Sequence, residues 1–289
     1  MANLMPERQT SPTIWHASDL HVGAHVPEML AQFAELTKIH KPHLVILSGD
    51  LTDGGRSAEY DEFTKYLKTF TCPVFIVPGN HDSPVDNMFT RIFAPFKQFD
   101  ALPAHKYLFQ SEGIEVGELR TAAAIQARLD WSKGVTTHGR VIRALKSFKL
   151  PDTPSPSPTL PHLSAPFRIL VGHHPIIDAP DVSVPGSVKG GLDALLTCEK
   201  AEIDLILSGH THQSWFGRIK DSKVILATAP TLSSPRIRGE GQGFHAYTIL
   251  EKSILCDVWR WDDKNYAIKS SKVQSRRGHD HAGQEPLKA

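Results

Sequence analysis

Five times along this chain a short apolar run stops, and the next few residues are Asp, Asn or His. Thr13-Ile14-Trp15-His16-Ala17 leads to Asp19-Leu20-His21, and His43-Leu44-Val45-Ile46-Leu47 leads to Gly49-Asp50. Pro73-Val74-Phe75-Ile76-Val77 leads to Gly79-Asn80-His81-Asp82. Later, the run from Phe167 to Val171 ends in Gly172-His173-His174-Pro175, and that from Ile203 to Leu207 ends in Gly209-His210-Thr211-His212. Continuous apolar runs of this length read as strands covered on both faces. Between the first three lie segments with apolar residues at helical spacing, Pro27 to His40 and Ser57 to Phe70. The alternation predicts right-handed βαβ units, a largely parallel sheet and an α/β fold. The carboxyl ends of such strands converge on one edge, where ligands bind.

Five loops would therefore deliver carboxylates, an amide oxygen and imidazoles to one crevice. A lone Asp-x-His or His-x-His has little meaning, since either can be a surface pair. Five strand-end clusters in order are another matter. Oxygen and imidazole donors suit Mn, Fe or Zn, with Co also compatible, and fit poorly with calcium or copper-thiolate sites. Seven candidate ligands, Asp19, His21, Asp50, Asn80, His173, His210 and His212, exceed what one tetrahedral ion takes. They suit two ions about 3.5 to 4 Å apart sharing a carboxylate.

The order Asp-x-His, Gly-Asp, Gly-Asn-His-Asp, Gly-His-His-Pro, Gly-His-Thr-His resembles the calcineurin-like metallophosphoesterases. The resemblance implies a four-layer αββα sandwich of two mixed β-sheets flanked by helices. It implies one ion held by Asp19, His21 and His212, a second held by Asn80, His173 and His210, and Asp50 bridging them. His174 would then face substrate or support the ligands. The Asp19-Leu20-His21-Val22-Gly23 opening and His173-His174-Pro175 look most like bacterial class III cyclic nucleotide and glycerophosphodiester phosphodiesterases. The expected activity is hydrolysis of a small phosphodiester by a metal-bridged hydroxide. His81 would bind the phosphoryl group or donate a proton to the leaving group, with Asp82 orienting its ring.

Competing readings are a nucleotide-sugar pyrophosphate hydrolase of lipid A synthesis, a phosphomonoesterase, and a metal-bound scaffold without activity. The scaffold reading suits chains that have lost ligands, and none of the seven is lost here. A nuclease would need a basic groove. With Lys plus Arg at 32 against 31 Asp plus Glu, nucleic acid is not the expected partner; Arg236, Arg238 and a basic tail are the features that would favour it. The expected partner is a small phosphate ester, and a homo-oligomer is left open.

The 289 residues, 40% hydrophobic and 22% charged, are read as one domain over residues 1–268 and a disordered polar tail over 269–289. His279-Asp280-His281 in that tail is read as solvated rather than metal-binding. Cys72, Cys198 and Cys256 are odd in number and widely spaced, which predicts buried inert thiols rather than disulfides. No apolar stretch reaches membrane-spanning length, and Met1 to Thr10 lacks a signal-peptide core, so the expected location is cytoplasmic. Residues 83–105, with Phe89, Phe93 and Phe96 on one helix face, are read as either core or a lid over the site. Residues 151–166, Pro- and Ser-rich, are read as an irregular surface loop. Replacing 151–166 by a short Gly/Ser linker is expected to leave turnover of a small aryl phosphodiester nearly intact. A large loss with metals still bound would instead assign the loop to the site.

Overall fold

The structure, a computed structural model, describes residues 11–277 apart from 106–107, 112, 124–132, 149–165, 181, 184 and 220–221. The Pro/Ser-rich segment therefore lies outside the described residues except for Pro166, as does the tail beyond residue 277.

Twelve strands form two six-stranded sheets. The first holds β1 (Thr13–Ala17), β2 (Leu44–Leu47), β3 (Val74–Ile76), β10 (Gly243–Ile249), β11 (Ser253–Trp261) and β12 (Tyr266–Ser275), ordered β12-β11-β10-β1-β2-β3. The second holds β4 (Leu108–Ser111), β5 (Ile114–Glu118), β6 (Phe167–Val171), β7 (Leu205–Ser208), β8 (Trp215–Gly217) and β9 (Ile225–Thr228), ordered β4-β5-β6-β7-β9-β8. β1, β2 and β3 run parallel, as do β5, β6, β7 and β9. β10 pairs antiparallel with β1, β11 with β10 and β12 with β11, and β4 and β8 are antiparallel edges. Both sheets are mixed, which corrects the largely parallel sheet read from local alternation. That alternation covers only β1 to β3 and says nothing of strands that return from the end of the chain.

Period-two alternation divides each strand between two cores. On β1, Ile14 points to the layer between the sheets, and Trp15 and Ala17 point outward. The inner layer joins Ile46 and Tyr247 of the first sheet to Phe167, Ile169 and Leu207 of the second. Outside the first sheet, α1 (Pro27–His40) buries Met29, Leu30, Phe33, Ala34 and Thr37, and α2 (Ser57–Leu67) buries Tyr60 and Phe63. Outside the second, α5 (His138–Ser147) and α6 (Gly191–Lys200) bury Val141, Leu145, Leu195 and Cys198. The result is the four-layer αββα sandwich.

Helix ends follow the expected chemistry. Pro27 opens α1, where its missing N–H costs nothing, and Lys41 closes it in the left-handed region with its N–H on the Thr37 carbonyl. Glu59 Oε2 accepts from the Gly54 and Arg56 N–H groups at 2.8 and 3.1 Å and so anchors the start of α2.

Three readings need correction. Residues 269–275 are not a disordered tail but the outer part of β12, paired with β11; their polar side chains fit an edge strand with one solvated face. Phe89, Phe93 and Phe96 do not share a helix face, because α3 (Met88–Phe93) stops before Ala94-Pro95, and the residue before proline disfavours helix. Phe96 and, in α4 (Lys97–Asp100), Phe99 join the core around Trp15, while Phe89 and Phe93 are 72% and 70% exposed. The far half of 83–105 is thus core, leaving only its first half on the surface. All three thiols are free and two are buried, but Cys72 is half-buried. No helix among the described residues is long and apolar enough to cross a membrane.

Candidate metal centre

The loops after β1, β2, β3, β6 and β7 meet at one edge of the sandwich, knitted by backbone bonds. The Asp19 and His21 N–H groups donate to the Gly49 and Asp50 carbonyls, both at 3.0 Å, and Gly209 N–H donates to the His173 carbonyl at 2.8 Å. Asp19 Oδ2 accepts from His210 N–H at 2.9 Å, and Asp50 Oδ1 from His81 N–H at 2.9 Å. Each carboxylate thus uses one oxygen to fix a neighbouring loop and turns the other inward.

The inward atoms converge. His212 Nε2 lies 3.1 Å from Asp19 Oδ1, and His173 Nε2 lies 3.2 Å from Asp50 Oδ2. His21 Nε2 is 3.9 Å from both Asp19 Oδ1 and Asp50 Oδ2. Donor atoms of Asp19, His21 and His212 gather within 4.8 Å of one another, as do those of Asp19, Asp50 and His173, of His21, Asp50 and His81, and of His173, His174 and His210. Asp19 Oδ1, His21 Nε2, Asn80 Oδ1 and His173 Nε2 are buried with no hydrogen-bond partner. Orphaned buried polar atoms are costly, and those of Asp19, His21 and His173, which lie in overlapping donor groups, fit a metal that would satisfy them.

The imidazoles are held for that purpose. Nδ1 of His21 faces Asp53 Oδ1 at 3.2 Å, that of His173 the Ser48 carbonyl at 2.8 Å, and that of His212 the Arg236 carbonyl at 2.7 Å. Each acceptor places the proton on Nδ1 and leaves Nε2 as the free donor atom for a cation. Backbone strain is concentrated here too. Of eight non-glycine residues with positive φ among the described residues, five are Asp19, His21, Asp50, His210 and His212, with φ from 49° to 68°. Gly79 allows a close approach: a Cβ there would lie 2.1 Å from Asp50 Oδ1.

Electrostatics favour positive charge in the crevice. Burial opposes ionisation of Asp50, yet His173, His81 and His21 hold its carboxyl well below the usual range. Burial likewise disfavours a charged His173, but Asp50 and Asp19 raise it to about 9. His210 goes the other way, lowered to about 4 by burial and by His173, and so remains a neutral ligand.

Of the seven expected ligands, Asp19, His21, Asp50, His173, His210 and His212 fall in these overlapping donor groups, with His174 beside them, and Asn80 lies on the loop whose next residue, His81, donates its N–H to Asp50; the His174 ring centroid lies 4.4 Å from that of His210, and its Nδ1 lies 3.0 Å from Thr121 Oγ1. The role expected of Asp82 is corrected. Its carboxylate accepts from the N–H groups of Gly79, Leu51 and Thr52 and from Thr52 Oγ1, at 2.8 to 3.2 Å, tying the second loop to the third. Burial and Asp50 push it up to about 6 against those N–H donors. The His81 ring is oriented instead by the Asp53 carbonyl, 2.6 Å from Nδ1. Asp53 escaped the sequence reading, although Gly49-Asp50-Leu51-Thr52-Asp53 places a second carboxylate three residues after the first. Arg236 escaped as well: its guanidinium sits 3.3 Å from Asp53 Oδ1 at the rim.

The calcineurin-like phosphoesterase family model matches residues 12–214, which span all five loops. The chain belongs to that family. It is 46% identical over 43 residues to a probable glycerophosphodiester phosphodiesterase, GpdQ, of Arcobacter nitrofigilis, covering 15% of this chain and 16% of the relative. It is 38% identical over 58 residues to a probable cyclic nucleotide phosphodiesterase of a Synechococcus species, covering 20% of this chain and 22% of that one. A longer match, to the uncharacterized protein YpbG of Bacillus subtilis, is 28% identical and covers 71% of this chain and 64% of the relative. The chain thus aligns with less than two thirds of the length of each of these curated relatives. Among solved structures, a dimetal phosphatase from Danio rerio superposes with a TM-score of 0.62 at 11% identity, over 92% of this chain and 99% of that one. The Plasmodium protein GAP50, described as an anchor in the inner membrane complex, superposes with a TM-score of 0.58 at 13% identity, over 93% and 91%. These likenesses concern the fold.

Asp53→Ala is expected to weaken metal binding on the His21 side by roughly 10- to 100-fold, because His21 loses the acceptor on its Nδ1. The His81 ring should keep its place, since the residue 53 carbonyl remains. Calorimetric metal titration with a thermal melt checks this; unchanged affinity would mean that His21 needs no such partner.

Proposed function

We propose that this chain is a metal-dependent phosphoester hydrolase that cleaves a small phosphodiester at a dinuclear centre. The observation that carries the reading is the gathering of donor atoms of Asp19, His21, Asp50, His173 and His212 into overlapping groups within 4.8 Å, among which Asp19 Oδ1, His21 Nε2 and His173 Nε2 are buried without a hydrogen-bond partner. Asp19, His21 and His212 would hold one ion, and Asn80, His173 and His210 the other. Asp50 reaches both sides through Oδ2, 3.9 Å from His21 Nε2 and 3.2 Å from His173 Nε2, which suits a bridging carboxylate. Oxygen and imidazole donors fit Mn, Fe, Zn or Co.

When bound, such ions lower the pKa of water and offset charge on the phosphoryl oxygens. The chain's residues supply the rest. His81, with Nδ1 donating to the Asp53 carbonyl, would in its imidazolium form carry a second proton on Nε2 to pass to the departing alkoxide, which leaves the ring neutral. His174, with Nδ1 turned to Thr121, would face the phosphoryl group or its substituent. Asp82 acts through the loops that it ties. The diester class is drawn from the names of the relatives matched above. Arg276 and Arg277, two of the four described basic residues of the tail, are bonded to the carbonyls of Leu250, Glu251 and Glu202, which weakens a nucleic-acid reading. One observation favours a second substrate reading: Met88, Phe89, Ile92 and Phe93 stand exposed on α3, as an acylated nucleotide-sugar pyrophosphate would require.

Purified protein is expected to hold close to two transition-metal ions per chain, and Asp50→Ala no more than one, with hydrolysis abolished. Elemental analysis decides, and active protein reproducibly free of metal would overturn the mechanism. His81→Ala should lose about 10² to 10⁴-fold on an alkyl phosphodiester and far less on a p-nitrophenyl ester, whose phenolate leaves unaided. Equal losses on both substrates would make His81 a phosphoryl-binding group instead.

A further inference from the structure

Behind the metal centre, inside the apolar layer between the sheets, runs a chain of polar side chains that the reaction does not use. It begins at Ser214, which lines a cavity of about 260 Å³ together with Thr211, the residue between His210 and His212. Ser214 Oγ lies 2.7 Å from His245 Nε2, and His245 Nδ1 lies 3.0 Å from the Tyr247 hydroxyl. The same hydroxyl is 3.3 Å from His16 Nδ1, and His16 Nε2 is 2.8 Å from Ser48 Oγ. The Ser48 carbonyl then accepts from His173 Nδ1 at 2.8 Å and from Ser18 Oγ at 3.2 Å.

His16, His245 and Tyr247 are each fully buried, and period two places all three on the inner face with Ile14 and Ile249. Apolar residues would fill that space without the desolvation penalty that buried polar groups carry. The penalty is met here by complete pairing: neither ring nitrogen of either histidine, nor the tyrosine hydroxyl, lacks a partner. Both rings stay neutral, His16 lowered to about 3 by burial and His245 well below its usual value for the same reason. A neutral imidazole has one donor and one acceptor, so each link fixes the direction of the next.

We infer that His16, backed by Tyr247 and His245, is a positioning residue that holds Ser48 so that its carbonyl fixes the tautomer and orientation of His173. The inference rests on the proposed role of His173 as a ligand. The Ser48 peptide sits at the turn into Asp50, whose φ is 49°, and Gly49 before it has φ 95°. Backbone bonds tie that turn to the first loop, from the Ser48 N–H to the Ala17 carbonyl at 2.9 Å and from the Asp19 N–H to the Gly49 carbonyl at 3.0 Å, and the His16 contact to Ser48 Oγ adds a side-chain point of attachment.

Apoprotein is titrated with Mn²⁺ by calorimetry in the wild type, His16→Phe, His16→Gln and Tyr247→Phe, with His173→Ala marking which ion belongs to His173. His16→Phe should weaken the His173-side ion by roughly 10- to 100-fold, the size typical of lost support to a ligand. The other ion should stay within about threefold. His16→Gln, which keeps an amide nitrogen in reach of Ser48, should restore most of the affinity. Equal weakening of both ions, or no change in folded His16→Phe, overturns the inference. If His16→Phe does not fold, Tyr247→Phe is read by the same criteria. A wild type binding a single ion would sink the dinuclear reading. The inference would then stand or fall on whether that ion is weakened by His16→Phe.

Discussion

Two carboxylates, Asp19 and Asp50, lie side by side with almost no exposure, ringed by imidazoles rather than by Lys or Arg. Buried like charges repel in a medium of low effective dielectric, and neutral histidines cannot cancel them. The strong upward pull on His173 expresses the same imbalance: the pocket attracts positive charge enough to overcome burial. The cation proposed for this crevice would remove the conflict and give Asp19 Oδ1, His21 Nε2 and His173 Nε2 the partner that they lack. Much else in the fold serves this demand. The left-handed residues turn the chain so sharply that side chains from adjacent strands point at one spot, each at a cost of roughly 1 to 2 kcal/mol that the surrounding packing must offset.

That offset comes from the sandwich. The strands that precede the site loops are buried at nearly every position, and wholly so in the LVIL run of β2 and the LILS run of β7. Their ends are therefore fixed to within the tolerance of a packed core. The loops are then tied to one another. Asp82 binds the second loop to the third, Asp19 Oδ2 binds the first to the last, and His173 Nδ1 crosses from one sheet to the other at Ser48. The site is built on strand ends and locked by inter-loop bonds, so it requires little reorganisation to receive ions or substrate.

This division explains which parts were legible in the sequence. The clustered Asp and His residues were readable as candidate ligands because each follows a strand-length apolar run and because carboxylate and imidazole are chemically distinctive. The first helix, from Pro27 to His40, was readable to the residue, since Pro marks its start and the spacing of Met29, Phe33 and Thr37 its buried face. β12 was not, because Lys269, Ser270, Ser271 and Lys272 carry the composition of a solvated tail; only pairing with β11 makes them a strand. Phe96 was misplaced because periodicity was carried through a proline that ends the helix. Asp82 was misassigned because sequence adjacency to His81 suggested contact, whereas the loop turns the two side chains to different partners.

What the sequence could not yield is the set of groups that orient the ligands, and the reason is chemical. Two of the three Nδ1 acceptors seen for the ligand histidines are backbone carbonyls, of Ser48 and Arg236, and the acceptor for His81 is the carbonyl of Asp53. Every residue has a carbonyl, so residue identity at those positions carries no mark of the role. The mark lies one step further out, in whatever fixes the peptide. For Ser48 that is the His16 contact through its hydroxyl, and for Asp53 it is the ion pair with Arg236 together with the carboxylate bond to His21. Support for the centre is therefore carried by side chains that touch no ligand directly, as His16 does, or that touch one with their side chain while orienting another with their backbone, as Asp53 does. A substitution at such a position should alter metal binding selectively, on the side of the centre whose carbonyl it controls, rather than uniformly.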